Sequence, residues 1–188
     1  ILTYKDGYIY AGTWVNEAKN GHYVCISVTD EEPDKTDETK YCTWKNKQMG
    51  GFYFAGAYAT DKYVVYGSDN GSTAANANSS LVSVNPRTGE VIDKVTDIVG
   101  DARSAIAYDN GYVYFTSKSG YLYKVGLNTD GSFKEVVDTN LGGASTSTPA
   151  IIGNRIYVGV NKVTGGTTSI KVIDKNTIQK HVCFVPQI

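Results

Sequence analysis

The stretch "YDNGYVYFTSKSGYLYKV", Tyr108 to Val125, alternates apolar and aromatic residues with polar ones on both sides of Asp109-Asn110-Gly111, and a second turn follows at Lys118-Ser119-Gly120. Asn and Gly tolerate the positive φ that two-residue hairpin turns require. Val113, Tyr114, Phe115, Leu122, Tyr123 and Val125 are the β-branched and aromatic types that suit a pleated, half-buried surface. Two hairpins sharing a strand follow from this pattern.

The pattern recurs. "DGYIYAGTW" begins at Asp6, "DKYVVYGSDNG" at Asp61, "NGYVYFTSKSG" at Asn110 and "GNRIYVGV" at Gly153. Aligning Tyr10, Tyr66, Tyr114 and Tyr157 gives separations of 56, 48 and 43 residues, close to the ~40 to 50 of propeller blades. No window sustains the i, i+3, i+4, i+7 apolar pattern of a helix. The expected fold is all-β: a β-propeller of four-stranded antiparallel blades, with four blades in one domain at about 1–48, 49–97, 98–139 and 140–188. The aligned tyrosines are expected to pack between blades, ring buried and hydroxyl at the sheet rim. Extra length falls in loops, "VNEAKNG" and "TDEEPDKTDETK" in the first unit and "SDNGSTAANANSS" in the second.

The sequence resembles the quinoprotein-dehydrogenase-like propellers, or PQQ-like repeats, through "LVSVNPRTGEVIDKV" (Leu81 to Val95), with Asn85, Thr88 and Gly89 in the family's Asp-x-x-Thr-Gly turn. "STSTPAIIGNRIYVGV" (Ser145 to Val160) is similar to the family's first two strands, and "IKVIDKNT" repeats the turn with Asp174 and Thr177 but Ile178 in the glycine position. In many such enzymes the resemblance implies a tryptophan that docks on the next blade; the matching positions hold Asp93 and Val182, so the docking girdle is expected to be missing. It also implies, for the dehydrogenases, adjacent cysteines against the quinone, a calcium with carboxylate ligands and an aspartate base. Cys25, Cys42 and Cys183 lie far apart, and without its cradle a cofactor supplies no chemistry. No cofactor is expected.

Other chemistry finds little support. The 188 residues carry 18 basic and 19 acidic side chains, which gives no basic stripe for nucleic acid or an anionic membrane. No apolar run is long enough to span a bilayer. His22 and His181 form no metal motif, and P-loop, Cys-x-x-Cys and nucleophile-elbow patterns are absent. No catalytic and no metal residues are assigned. Cys25 and Cys42 fall on expected neighbouring strands, either as a reduced buried pair or as a cross-strand disulfide, and Cys183 has no evident partner. The acidic loop Asp30 to Glu38 lacks calcium-loop spacing and is expected to be solvated. Asn70-Gly71-Ser72 and Asn78-Ser79-Ser80 match the glycosylation sequon.

Propeller connections line the mouth of the central channel, and loops on a rigid scaffold are where binding concentrates. This places Phe52, Tyr53, Asp101, Arg103, Ser145, Thr146 and Ser147 at a common mouth, with an ion pair of Arg103 to Asp101 or to a neighbouring blade as the structural alternative. The expected role is non-enzymatic recognition or scaffolding of a protein, small-molecule or glycan ligand, in a surface, secreted or periplasmic bacterial protein. The alternatives are a segment of a quinoprotein oxidoreductase and a glycan-binding module. The chain begins at Ile1 and reads as part of something longer. Four blades make an open arc, with its end faces apolar, to be completed by further blades or by a homodimer closing the ring.

Overall fold

The structure is a computed structural model that describes residues 1–28, 42–161, 168–178 and 180–181. Asp30 to Glu38, Val182 and Cys183, and the side chain of His181, lie outside the described residues. The described residues form four antiparallel four-stranded sheets. Sheet 1 is β1 (Leu2–Lys5), β2 (Tyr8–Gly12), β3 (Asn20–Ser27) and β4 (Trp44–Met49). Sheet 2 is β5 (Tyr58–Ala59), β6 (Val64–Gly67), β7 (Asn78–Val84) and β8 (Val91–Val99). Sheet 3 is β9 (Ala107–Asp109), β10 (Tyr112–Ser117), β11 (Tyr121–Leu127) and β12 (Phe133–Asn140). Sheet 4 is β13 (Ala150–Ile152), β14 (Arg155–Val160), β15 (Ser169–Asp174) and β16 (Lys180–His181). Each sheet pairs its strands in chain order, the up-and-down blade of a propeller. No helix long and apolar enough to cross a membrane occurs among the described residues.

The hairpins form where the sequence places them. Asp109 pairs with Tyr112 around Asn110 (φ 53°) and Gly111 (φ 83°), the left-handed pair a type I′ turn demands. Asp6 (φ 48°) and Gly7 (φ 84°) do the same between Lys5 and Tyr8.

Three buried apolar clusters hold neighbouring sheets together. Tyr10, Tyr23, Trp44 and Phe52 meet Val64, Tyr66, Val82 and Val84 between sheets 1 and 2. Val65, Leu81 and Ile98 meet Val113, Phe115 and Tyr123 between sheets 2 and 3. Tyr114 and Leu122 meet Ile156, Val158 and Ile173 between sheets 3 and 4. Among the described residues none of the clusters joins sheet 4 to sheet 1, and the arc is open.

This packing corrects the tyrosine alignment by one residue. Tyr10 of sheet 1 and Tyr66 of sheet 2 share one cluster, so they face each other from opposite sides and cannot be repeat equivalents. Cross-strand pairing aligns Thr3–Tyr10, Tyr58–Val65, Ala107–Tyr114 and Ala150–Tyr157. Val65 is therefore the second blade's counterpart, and a one-residue shift reverses a strand's faces. Tyr157 is half-buried on the face of sheet 4 that points away from sheet 3, since Ile156 and Val158 take the inner face.

The docking girdle is present in altered form. Trp44 Nε1 donates to Pro86 O at 2.9 Å, and the indole lies against Gly89 of the next blade's turn, where a Cβ would come within 2.6 Å. Asp93, one of the two matching positions, accepts from the Phe133 amide of sheet 3 at 2.8 Å, a hydrogen bond in place of a ring. Cys25 and Cys42 are free thiols; Cys25 is buried on β3 and Cys42 is half-buried just ahead of β4.

Candidate functional site on the connection face

In an up-and-down blade, the connection from second to third strand and the connection to the next blade emerge at the same end. Backbone hydrogen bonds lace these segments together: Phe52 N to Thr13 O at 3.0 Å, Asp69 N to Gly51 O at 2.9 Å, Ala102 N to Ser68 O at 3.0 Å and Lys118 N to Asp101 O at 2.8 Å. By this lacing Tyr53 and Arg103 are equivalent positions in successive connections. With Val65 in its corrected place, Trp14, Asp69 and Lys118 also share one position, four residues past Tyr10, Val65 and Tyr114. The repeat thus stacks these five side chains about one centre.

Arg103 is that centre. Its Nε lies 3.1 Å from both Asp69 oxygens and its Nη2 lies 2.6 Å from Asp69 Oδ2. Nη2 also reaches Asp101 Oδ2 at 3.1 Å and Glu17 Oε1 at 3.4 Å. The Arg103, Asp69 and Asp101 side chains are 8%, 1% and 5% exposed. Two buried carboxylates about one guanidinium are a well-hydrogen-bonded arrangement, yet removal of one partner would strand a buried charge. Burial, with a smaller push from Asp101, raises the Asp69 carboxyl to about 6 against the pull of Arg103. At the rim, Lys118 Nζ stands 3.7 Å from Asp101 Oδ2 and is half exposed.

Aromatic rings cover this charge cluster. The Arg103 guanidinium sits 4.9 Å from the Tyr53 ring centroid and 6.0 Å from that of Trp14. Trp14 and Tyr53 are 4.8 Å apart and Tyr53 stacks on Phe54 at 4.0 Å. Trp14 Nε1 is buried without a hydrogen-bond partner. Phe54 is 47% exposed and adopts φ 59°. A bulky non-glycine residue in the left-handed region is strained, so the chain holds a large ring in solvent at an energetic cost.

Of the seven residues expected at the mouth, the structure brings Tyr53, Asp101 and Arg103 together. Phe52 is 3% exposed and turns into the cluster between sheets 1 and 2, edge-on to Tyr23 and Tyr66. Ser145 Oγ donates to Gly159 O at 2.8 Å, Ser147 Oγ accepts from Gly159 N at 3.2 Å, and Ser147 O accepts from Thr116 Oγ1 at 2.9 Å. These two serines thus brace the fourth blade, and Thr146 is exposed beside them. Trp14, Glu17, Phe54, Asp69 and Lys118 were not singled out from sequence; the repeat position of Trp14, Asp69 and Lys118 is a signal hidden by the one-residue slip at Tyr66.

The described residues do not fit a quinone cradle. Cys25 is buried in the packing between sheets 1 and 2, and the Arg103 guanidinium on the connection face is taken up by Asp69 and Asp101. Among the described residues no group of three or more His, Cys, Asp and Glu side chains is placed to hold a metal ion.

No protein-family model and no curated protein matches the chain. Solved structures do. BamB from Moraxella catarrhalis is similar over 95% of this chain and 46% of its own, at 16% identity and a TM-score of 0.60. The computationally designed Ika4 protein is similar over 90% of this chain and 87% of its own, at 12% identity and a TM-score of 0.58. A europium-containing methanol dehydrogenase is similar over 66% of this chain and 23% of its own, at 16% identity and a TM-score of 0.51. The chain thus spans less than half the length of BamB. Identities this low speak to architecture alone, and together with the four open sheets they establish that the chain has the PQQ-like β-propeller fold, as an open four-bladed segment.

Proposed function

We propose that the chain is a recognition module whose connection face binds a protein partner through the Trp14–Tyr53–Phe54 ledge, with Arg103 holding the ledge from beneath. The observation that carries this is Phe54, a ring kept 47% exposed in a left-handed conformation. Aromatic rings and arginine are the side chains that dominate binding at interfaces. Glu17 and Lys118, both at the rim, supply charges of opposite sign for orientation. The setting that goes with this role is a bacterial surface or the periplasm.

Peptide and glycan arrays probed with the purified chain test the role. The expected result is peptide binding that is lost on Tyr53→Ala and Phe54→Gly and kept on Val136→Ala, an exposed apolar residue on sheet 3. Binding confined to glycans would favour a glycan-binding module, and binding indifferent to both ledge variants would remove the ledge from the account.

A further inference from the structure

Each inner blade interface is built from two kinds of face, one that receives the preceding blade and one that meets the next. The outer face of sheet 1 is of the first kind. Its rows run Leu2–Ala11–Val24 and Tyr4–Ile9–Ile26. The second row matches Tyr108–Val113–Val125, which receives sheet 2. The correspondence extends to a hydrogen bond: the Tyr4 hydroxyl accepts from the Gly7 amide at 3.2 Å, as the Tyr108 hydroxyl does from Gly111 at 3.1 Å. Tyr108 stacks on Tyr58 of the preceding sheet at 4.3 Å, whereas the Tyr4 ring is 67% exposed.

The outer face of sheet 4 is of the second kind. Ala150, Tyr157 and Val172 form one row, in the register of Ala107–Tyr114, which meets sheet 4 from sheet 3. Ile152 and Ile170 extend the same face and are 67% and 46% exposed. The 188-residue chain therefore carries both halves of a blade interface, and among the described residues no neighbouring blade covers either, although Val24 and Val172 within these rows are already 9% and 6% exposed.

We propose that the outer face of sheet 1 docks on the outer face of sheet 4 of a second copy, and that two copies close an eight-bladed ring about a two-fold axis. The contact is heterologous and made twice. Tyr4 packs over Ala150 beside the Tyr157 ring, while Lys45, in the Leu2–Ala11–Val24 row, stays at the outer rim. Clustered exposed apolar side chains such as Leu2, Tyr4, Ile152 and Ile170 mark an interaction site.

Sedimentation velocity of the 188-residue chain over micromolar concentrations tests this, with Ile9→Glu and Tyr157→Glu as variants. A species of twice 20.3 kDa is expected. Each variant alone breaks both contacts and should weaken the dimer at least ~100-fold, since either buries an unpaired charge. Monomers at every concentration, open-ended polymers, or a dimer sensitive to only one of the variants would each overturn the proposal. Should a variant fail to fold, methyl NMR of the wild-type chain decides. Concentration-dependent shifts at both Ile9 and Ile170 support the contact, and shifts at neither or only one overturn it.

Discussion

Tyr123 shows what tyrosine contributes that phenylalanine could not. Its ring is buried between sheets 2 and 3, and its hydroxyl accepts from the Val99 amide at 2.8 Å at the end of β8. Tyr23 likewise donates to Ala55 O at 3.1 Å, and the Tyr66 hydroxyl accepts from Asn46 at 3.1 Å. Each ring fills an interface while its hydroxyl pins the neighbouring chain. Tyr123→Phe leaves the Val99 amide without its partner and should cost about 1–2 kcal/mol in urea unfolding. Asp69 makes a second prediction at this scale. Its folded carboxyl is raised to about 6 from 3.8, so between those values the folded state holds a proton that the unfolded chain releases. The contribution of this group therefore grows as pH falls through 6 and is lost as pH rises through it. Relative to Asp69→Asn, the wild-type chain should gain about 1 kcal/mol on going from pH 7 to pH 5, measured by urea unfolding at both. No gain, or a loss, would mean that Arg103 outweighs burial.

The turns between third and fourth strands show both how a blade is stapled and how far sequence carries. In sheet 2, Asn85 Oδ1 accepts from the Arg87 and Thr88 amides, and Gly89 takes φ 71°. In sheet 4, Asp174 Oδ1 accepts from Asn176 and Thr177 in the same way, but Ile178 takes φ 55° where the repeat offers glycine. Ile178 is 4% exposed and packs with Ile156 and Ile173. Ile178→Gly relieves the backbone but opens a hole, and lost packing should win by about 1–3 kcal/mol in thermal unfolding. These turns, and the type I′ hairpins at Asp6-Gly7 and Asn110-Gly111, were legible in sequence because backbone sterics admit few residues there. Which face Tyr66 takes was not, since "YVVY" alternates in neither register and only the neighbouring sheet decides. The same slip concealed Asp69 as the partner of Arg103, for a reason that is physical: a repeat constrains positions along a blade, while ion pairs form across blades. Trp44 escaped in the same way, because its docking surface is the next blade's turn.

Across the molecule, stability and candidate function occupy different ground. Three apolar clusters between sheets bind the arc, and the connection face carries the strained, half-exposed ledge over a buried arginine. Among the described residues no apolar cluster joins the first and last blades, and both end faces carry exposed apolar side chains. The arrangement has the form of a trade between stability and function, in which residues kept for binding are not those that stabilise best. The most direct test is the unfolding free energy of Phe54→Gly in urea. If the left-handed phenylalanine is held for recognition, glycine should raise stability by about 0.5–1 kcal/mol, since it relieves the φ 59° strain and gives up a ring that is 47% exposed. A loss of stability on the same substitution would contradict the account and make Phe54 a packing residue of the fold.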